Sequence, residues 1–157
     1  MKIITASLLN ELAAKAGSSP RHRANFNLHQ SSNDSIQRFF IAAKMASYFR
    51  PHRHRSTFEL AILLQGNFDL LLFDENAVVT DRISLGADSA NRGFELPPDV
   101  WHAWIPLVED SIFMEVKAGP YDPKSVDFAD WSPPEGDARV ADFLSNMRGI
   151  AVGSRCL

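Results

Sequence analysis

The sequence predicts an all-β, single-domain sandwich or barrel, on three observations. Arg50-Pro51, Gln65-Gly66-Asn67, Asp74-Glu75-Asn76, Gly86-Ala87-Asp88, Pro97-Pro98-Asp99 and Gly119-Pro120 punctuate the chain into short apolar or alternating runs, as expected of strands that fold back on one another. Nine Pro, eight Gly and eleven Phe argue against a helical bundle or coiled coil, because Pro and Gly interrupt long helices. At roughly 100–200 residues per domain, 157 residues make one core, and no internal repeat, low-complexity tract or linker divides them.

Sixteen Lys plus Arg against nineteen Asp plus Glu leave a net charge of −3, which lacks the polycationic footprint that nucleic acid or an anionic membrane requires. A small polar partner fits better. Five His stand beside one Cys, Cys156, so neither an intramolecular disulfide nor a thiolate-rich metal site is expected, and any metal must be held by nitrogen and oxygen. Asn10, Glu11 and Lys15 break the apolar run at the N-terminus, and no segment approaches the roughly eighteen apolar residues of a membrane span. The expectation is a soluble, cytoplasmic protein.

Along the chain, residues 7–16 read as a short amphipathic helix capped by Thr5 or Ser7, with Leu8, Leu9 and Leu12 on one face and Gly17 at its end. After Ser18-Ser19-Pro20, the residues Arg23, Asn25, Asn27 and His29 alternate with Ala24, Phe26 and Leu28, the period of an extended strand with one polar face. Residues 36–46 fit helix and strand templates about equally by periodicity.

The chemistry concentrates in Pro51-His52-Arg53-His54, Glu59, Gly66, Pro97 and His102. On a strand, residues two apart point to one face, so His52 and His54 can aim both imidazoles at one point while Arg53 faces away. Glu59 opens the next β-prone run and can oppose that pair. His102 can supply a third nitrogen from a distant strand.

The pattern His-x-His-x4-Glu-x6-Gly followed by Pro-x4-His resembles the paired motifs of the cupin superfamily, whose fold is a double-stranded β-helix, or jelly roll. The family usually has Gly where Ala46 stands and Pro-x-Gly where Pro97-Pro98-Asp99 stands; both departures concern turns. A wider set of residues is similar to the WbuC family of cupin-fold metalloproteins: Ser19-Pro20-Arg21, Gln37-Arg38, Ser47-Tyr48, Phe73-Asp74, Trp101-His102, Lys117-x-Gly119-Pro120-Tyr121-Asp122-Pro123 and Trp131-x-Pro133-x-Glu135-Gly136. The resemblance implies that His52, His54, Glu59 and His102 ligate one divalent transition metal, with Zn, Mn, Fe, Co and Ni all compatible. It also makes residues 36–42 a strand, and divides the chain into an N-terminal helix and arm (1–35), a barrel (36–125) and a partly helical C-terminal segment packing on it (126–157). Exposed sheet edges make a homodimer a reasonable expectation.

The resemblance places the polar strand near the metal and so makes Arg23, Asn25 and His29 candidate substrate-binding residues, Arg being suited to carboxylate or phosphate. Arg38 joins them, although Gln37 and Arg38 point to opposite faces and at most one can enter the cup. Trp101 is a candidate pocket wall. Glu59, Lys117 and Tyr121 are candidate proton-moving groups, while Glu115 and Lys117, two apart, read more simply as an exposed ion pair. WbuC members are encoded among O-antigen and surface-polysaccharide genes, which implies a sugar isomerase or epimerase. A non-haem dioxygenase and a non-catalytic ligand-binding or sensor cupin are the alternatives.

Overall fold

The computed structural model describes residues 1–87 and 89–156. Asp88, in the expected Gly86-Ala87-Asp88 turn, and Leu157, the end of the expected C-terminal segment, lie outside the described residues. The chain forms helix α1 (Ala6–Ser18), then strands β1 (Arg23–Asn27), β2 (Ile36–Ala43), β3 (His52–His54), β4 (Glu59–Gln65), β5 (Asn67–Phe73), β6 (Val79–Gly86), β7 (Gly93–Leu96), β8 (Trp101–Pro106), β9 (Ser111–Ala118) and β10 (Val126–Phe128), and finally helix α2 (Val140–Gly149). The strands make two five-stranded sheets in the orders β1-β2-β9-β4-β7 and β10-β3-β8-β5-β6, packed as a jelly roll. Every pairing between them is antiparallel. Residues 36–43 are thus strand. β1 and β10 come from the arm and the C-terminal segment, and each occupies one edge of a sheet.

The space between the sheets is apolar at one end. Phe49, Phe68, Leu70, Leu85, Trp104 and Phe113 fill it, with Trp104 and Phe113 stacked 3.9 Å apart at 10°. Moving along the strands, register replaces that plug by polar side chains. Across the first sheet, Gln37 of β2, Lys117 of β9 and Glu59 of β4 stand opposite one another, and Phe39, Glu115 and Ala61 form the next row inward. Cross-strand partners share a face, so these rows and the His52–His102 pair of the second sheet line the polar end.

The helices cover the outer faces. The Thr5 side chain accepts the Leu8 N–H at 3.2 Å and starts α1. Its buried stripe is Leu12, Ala13 and Ala16, with Leu9 beside them, whereas the sequence suggested Leu8, Leu9 and Leu12; the two alanines let the helix lie close to Phe40, Ala42 and Ile112. On the second sheet, Phe143, Leu144 and Met147 of α2 pack with Leu71, Phe73, Trp101 and Ala103. Arg82 donates to the carbonyls of Met147 and Ile150 at 2.7 and 2.9 Å and pairs with Asp69 at 2.5 Å, satisfying the carbonyls that end α2. The C-terminal helix therefore lies on its own barrel. Among the described residues no helix is long and apolar enough to cross a membrane.

Two turns hold the motif in place. Gly66 has φ +79°, and a Cβ there would come within 2.3 Å of the Ser111 Oγ and 2.7 Å of its Cα, so the position admits only glycine. Asp99 has φ +69° where the cupin pattern has Gly. Asp tolerates the left-handed region better than most residues. Its N–H donates to the His54 carbonyl at 2.7 Å and its carboxylate lies 3.2 Å from Arg53, so the departure adds a contact to the metal-motif strand.

Candidate metal centre

His52, His54, Glu59 and His102 converge at the polar end of the barrel, each offering a ligand atom within 4.8 Å of the others. The convergence has local causes. His52 and His54 share the inner face of β3, and His102 stands opposite His52 on β8, their rings 4.3 Å apart. Glu59 begins β4 in the facing sheet. Its Oε2 lies 2.9 Å from His54 Nε2 and 3.6 Å from His102 Nε2, and its Oε1 accepts the Trp104 indole N–H at 3.3 Å.

The donor set fits a metal. His52 Nδ1 lies 2.9 Å from the Arg50 carbonyl and His102 Nδ1 2.9 Å from the Val100 carbonyl. A carbonyl only accepts, so each Nδ1 carries the proton and each Nε2 keeps its lone pair, as in histidines oriented for coordination. His102 Nε2 is buried with no hydrogen-bond partner. A buried polar atom without a partner is costly, and a cation bound there by the four residues would supply one.

The electrostatics are those of a tight buried cluster. Burial, with His102 and His54 alongside, holds His52 well below the usual histidine range. Burial raises the Glu59 carboxyl, but His102, His54 and Lys117 outweigh it and leave Glu59 well below the usual carboxylate range. Burial lowers His102, yet the Glu59 carboxylate makes the net shift upward; a divalent cation would take the place of the proton this favours. Glu115 is pushed up to about 7 by burial and by the Glu59 charge, against the pull of Lys117.

The other candidates divide by strand parity. Asn25, His29, Lys117 and Tyr121 line a cavity of about 330 Å³ beside the cluster, together with Asn27, Gln37 and Phe39. Lys117, Tyr121 and Gln37 also line a small gap that reaches His54, so the cavity and the metal cluster adjoin. Arg38 is brought elsewhere: it faces the outer side of β2, 3.9 Å from Asp34, and Gln37 takes the inward position. Trp101 lies on the face opposite to His102, in the cluster beneath α2, donating to Glu75 at 3.1 Å under the Arg53 guanidinium, 4.4 Å away. Arg23 donates to the Tyr48 carbonyl at 2.8 Å and pairs with Glu135, which also holds Arg21 at 2.7 Å.

Asn27 stands with Asn25 on the polar face the sequence shows, and Gln37 is the one of the Gln37–Arg38 pair that enters. Phe39 carries no such signal in the sequence, because its place beside Glu115 depends on the pairing of β2 and β9. The sequence alone makes Glu115 and Lys117 an exposed pair; the pair exists at 2.5 Å, but both side chains are largely buried inside the barrel.

Arg53 ties down the strand that carries two of the histidines. Pointing outward between them, its guanidinium lies 2.6 Å from Glu75, 3.2 Å from Asp99 and 3.3 Å from Asp127, and it stacks on Trp101. One side chain thus joins β3 to the turn before β6, the turn before β8, β8 itself and β10.

Solved structures share this architecture. KdgF from Halomonas sp. is similar over 68% of this chain and 86% of its own, at 16% identity and TM-score 0.51. An oxalate oxidase in complex with glycolate matches over 73% of this chain and 58% of its own, at 12% identity and TM-score 0.52. CapF, solved with the inhibitor 3-isopropenyl-tropolone, matches over 66% of this chain and 31% of its own, at 14% identity and TM-score 0.54. Identities this low speak for fold alone, and the fold is the cupin jelly roll. No curated protein matches the chain. The family defined by DUF6016, a domain of unknown function, matches residues 4–85, and the chain belongs to that family.

Proposed function

We propose that this protein is a metal-dependent cupin in which His52, His54, Glu59 and His102 hold one divalent transition metal, and that it acts on a small, oxygen-rich, sugar-like substrate. The observation that carries the metal reading is the buried, unpartnered Nε2 of His102 among imidazoles whose Nδ1 atoms are already committed. When bound, the metal supplies Lewis-acid polarisation of a substrate oxygen. The reaction class implied by the WbuC resemblance is isomerisation or epimerisation of a sugar in surface-polysaccharide assembly.

The protein's own groups suit proton movement at that position. Lys117 stands opposite Glu59 in the sheet, largely buried, and lines both the small gap at His54 and the larger cavity. Burial lowers the Lys117 ammonium, but Glu115 and Glu59 make the net shift upward, so its Nζ is charged and can give a proton to substrate oxygen. Glu115, 2.5 Å from that nitrogen, orients it and balances its charge. Tyr121, half exposed at the mouth, offers a hydroxyl where substrate enters. Glu59 is occupied by His54 and Trp104 and acts as a ligand in this reading, with proton donation left to Lys117.

Metal analysis of the purified protein, followed by titration with Zn, Mn, Fe(II), Co and Ni, should show one ion per chain. Loaded protein incubated in D2O with keto-sugars and nucleotide sugars should exchange a carbon-bound proton for deuterium, read by NMR. Absence of metal uptake sinks the metal reading. Binding without exchange makes the protein a ligand-binding module, and oxygen consumption confined to the Fe(II) form replaces isomerisation with dioxygenation.

A further inference from the structure

The cavity beside the metal cluster has a chemistry of its own. Four amides (Asn25, Asn27, Gln30 and Gln37), the His29 imidazole, two serines and the rings of Phe39 and Tyr121 line it. The one side chain with a fixed positive charge among the residues lining it is Lys117, and Lys117 is already paired with Glu115 at 2.5 Å. The arginines expected to meet an anion are engaged elsewhere: Arg23 with Glu135 and the Tyr48 carbonyl, Arg38 on the outer face near Asp34. An anionic group entering this cavity would give up its hydration without a free guanidinium to replace it.

We propose that this cavity is a subsite for an uncharged, polyhydroxylated ring, so that the ligand carries its metal-binding oxygens at one end and a neutral hydroxyl-rich end at the other. The assignment of the first end rests on the metal reading above. Both hydrogens of the Gln37 amide nitrogen are committed, to the carbonyls of Ser32 at 3.2 Å and Asp34 at 2.8 Å. The orientation of that buried amide is thereby set, and its Oε1 is left as an acceptor. Asn25 donates to Asn27 Oδ1 at 2.8 Å, which leaves an acceptor on Asn25 and a donor on Asn27. A hydroxyl both donates and accepts, so a ring bearing several of them satisfies this mixed set, whereas a carboxylate only accepts.

Size and position agree. About 330 Å³ is at the lower end of the roughly 300–1,000 Å³ of small-molecule sites, room for one ring rather than a chain of them. Phe39 offers an apolar face against which the C–H side of such a ring can pack. Glu59, Lys117 and Gln37 are successive cross-strand neighbours, so the subsite begins at Lys117, about 5 Å across the sheet from the metal-binding carboxylate, and reaches Gln37 about 10 Å away, at roughly 4.8 Å per strand.

The test uses full-length, 15N-labelled protein, both metal-loaded and metal-free, titrated with methyl glycosides of D-glucose, D-galactose, L-rhamnose and L-fucose, and in parallel with D-glucuronate, D-galacturonate and glucose 6-phosphate. At least one neutral glycoside should shift the side-chain amide signals of Asn25, Asn27 and Gln37, and bind more tightly than its charged counterparts. Asn27→Ala, at an exposed position, should weaken that binding about fivefold, the loss of one hydrogen bond, with metal affinity unchanged. Tighter binding of the anions at these signals, unmoved amides across the whole neutral panel, or unchanged affinity in Asn27→Ala overturns the proposal. If glycosides move the amides in a protein that takes up no metal, the metal reading falls and the subsite stands.

Discussion

The two faces of the β3–β8 pair carry opposite solutions to the same problem of burying polar side chains. On the inner face, His52, His54 and His102 crowd together, and a buried nitrogen of His102 has no partner. On the outer face, the intervening Arg53 and Trp101 are saturated: Arg53 meets three carboxylates and the indole ring, and the indole N–H meets Glu75. Both sets alternate along the same two strands. A face whose donors and acceptors all find protein partners is a staple, and a face that leaves lone pairs pointing at one another is a binding site. The comparison also separates what should fail on mutation: inner-face changes should act on the metal first, outer-face changes on the geometry that presents it.

The largest effect is expected at Glu59, the one anionic group of the inner cluster. Glu59→Ala removes the carboxylate that offsets the cation and leaves the Trp104 N–H without its acceptor. Metal affinity, read by competition with a chelating indicator, should fall by more than about 100-fold, beyond the tenfold to hundredfold typical of residues that only support a ligand. A variant that keeps wild-type affinity would show that Glu59 is not a ligand, and would remove the inner face's claim to be a metal site.

Next is Arg53, which tests the outer face. Arg53→Met keeps an apolar stem over Trp101 and discards the three ion pairs. Two of the carboxylates, Glu75 and Asp99, are mostly exposed and can return to water at little cost, so the fold should persist. Metal affinity should drop about tenfold, because β3 is three residues long and is held to β8 through a single opposed pair, His52 and His102, so the side chain between its histidines contributes much of their placement. If the variant lowers the melting temperature of the metal-free protein but leaves metal affinity untouched, the outer face stabilises the fold without placing the ligands.

The metal cluster was legible in the sequence because its main determinants are local. A period of two puts His52 and His54 on one face whatever the rest of the chain does, and a turn-forming residue marks the start of each neighbouring strand. The same period, applied one residue further, separates Trp101 from His102 and Arg38 from Gln37. Trp101 as a pocket wall and Arg38 as a substrate contact are candidates by residue type, and parity places both on the far face. Parity gives Arg23 the face of Asn25 and Asn27 but not its partner. Its partner Glu135 lies 112 residues away, on the connection between β10 and α2, and no pattern within either segment announces the pair. Burial of the Glu115–Lys117 pair was equally hidden, since an i, i+2 ion pair looks alike on either face until the opposite sheet is known.

That long-range pair supplies the smallest effect and the finest test of the comparison. Arg23 starts β1 with the parity of Asn25 and Asn27, yet its guanidinium is spent on Glu135 rather than on the cavity. The Glu135 carboxyl is held below its ordinary value of 4.5: burial raises it, and hydrogen bonds and charge from Arg21 and Arg23 more than compensate. A carboxyl depressed in the folded state stabilises the protein above its unfolded value and loses that contribution as pH falls through the folded one. Wild type should therefore exceed Glu135→Gln in melting temperature at pH 7 by a small, constant margin that closes as the pH is lowered from about 4.5. Glu59 titrates in both proteins, so the difference between the two curves isolates Glu135. The variant should bind metal as wild type does, because the arm's arginines serve as struts outside the site. A change in ligand preference toward anions in Glu135→Gln would mean instead that Glu135 keeps Arg23 out of the cavity, and that the neutrality of the subsite is imposed by this distant carboxylate.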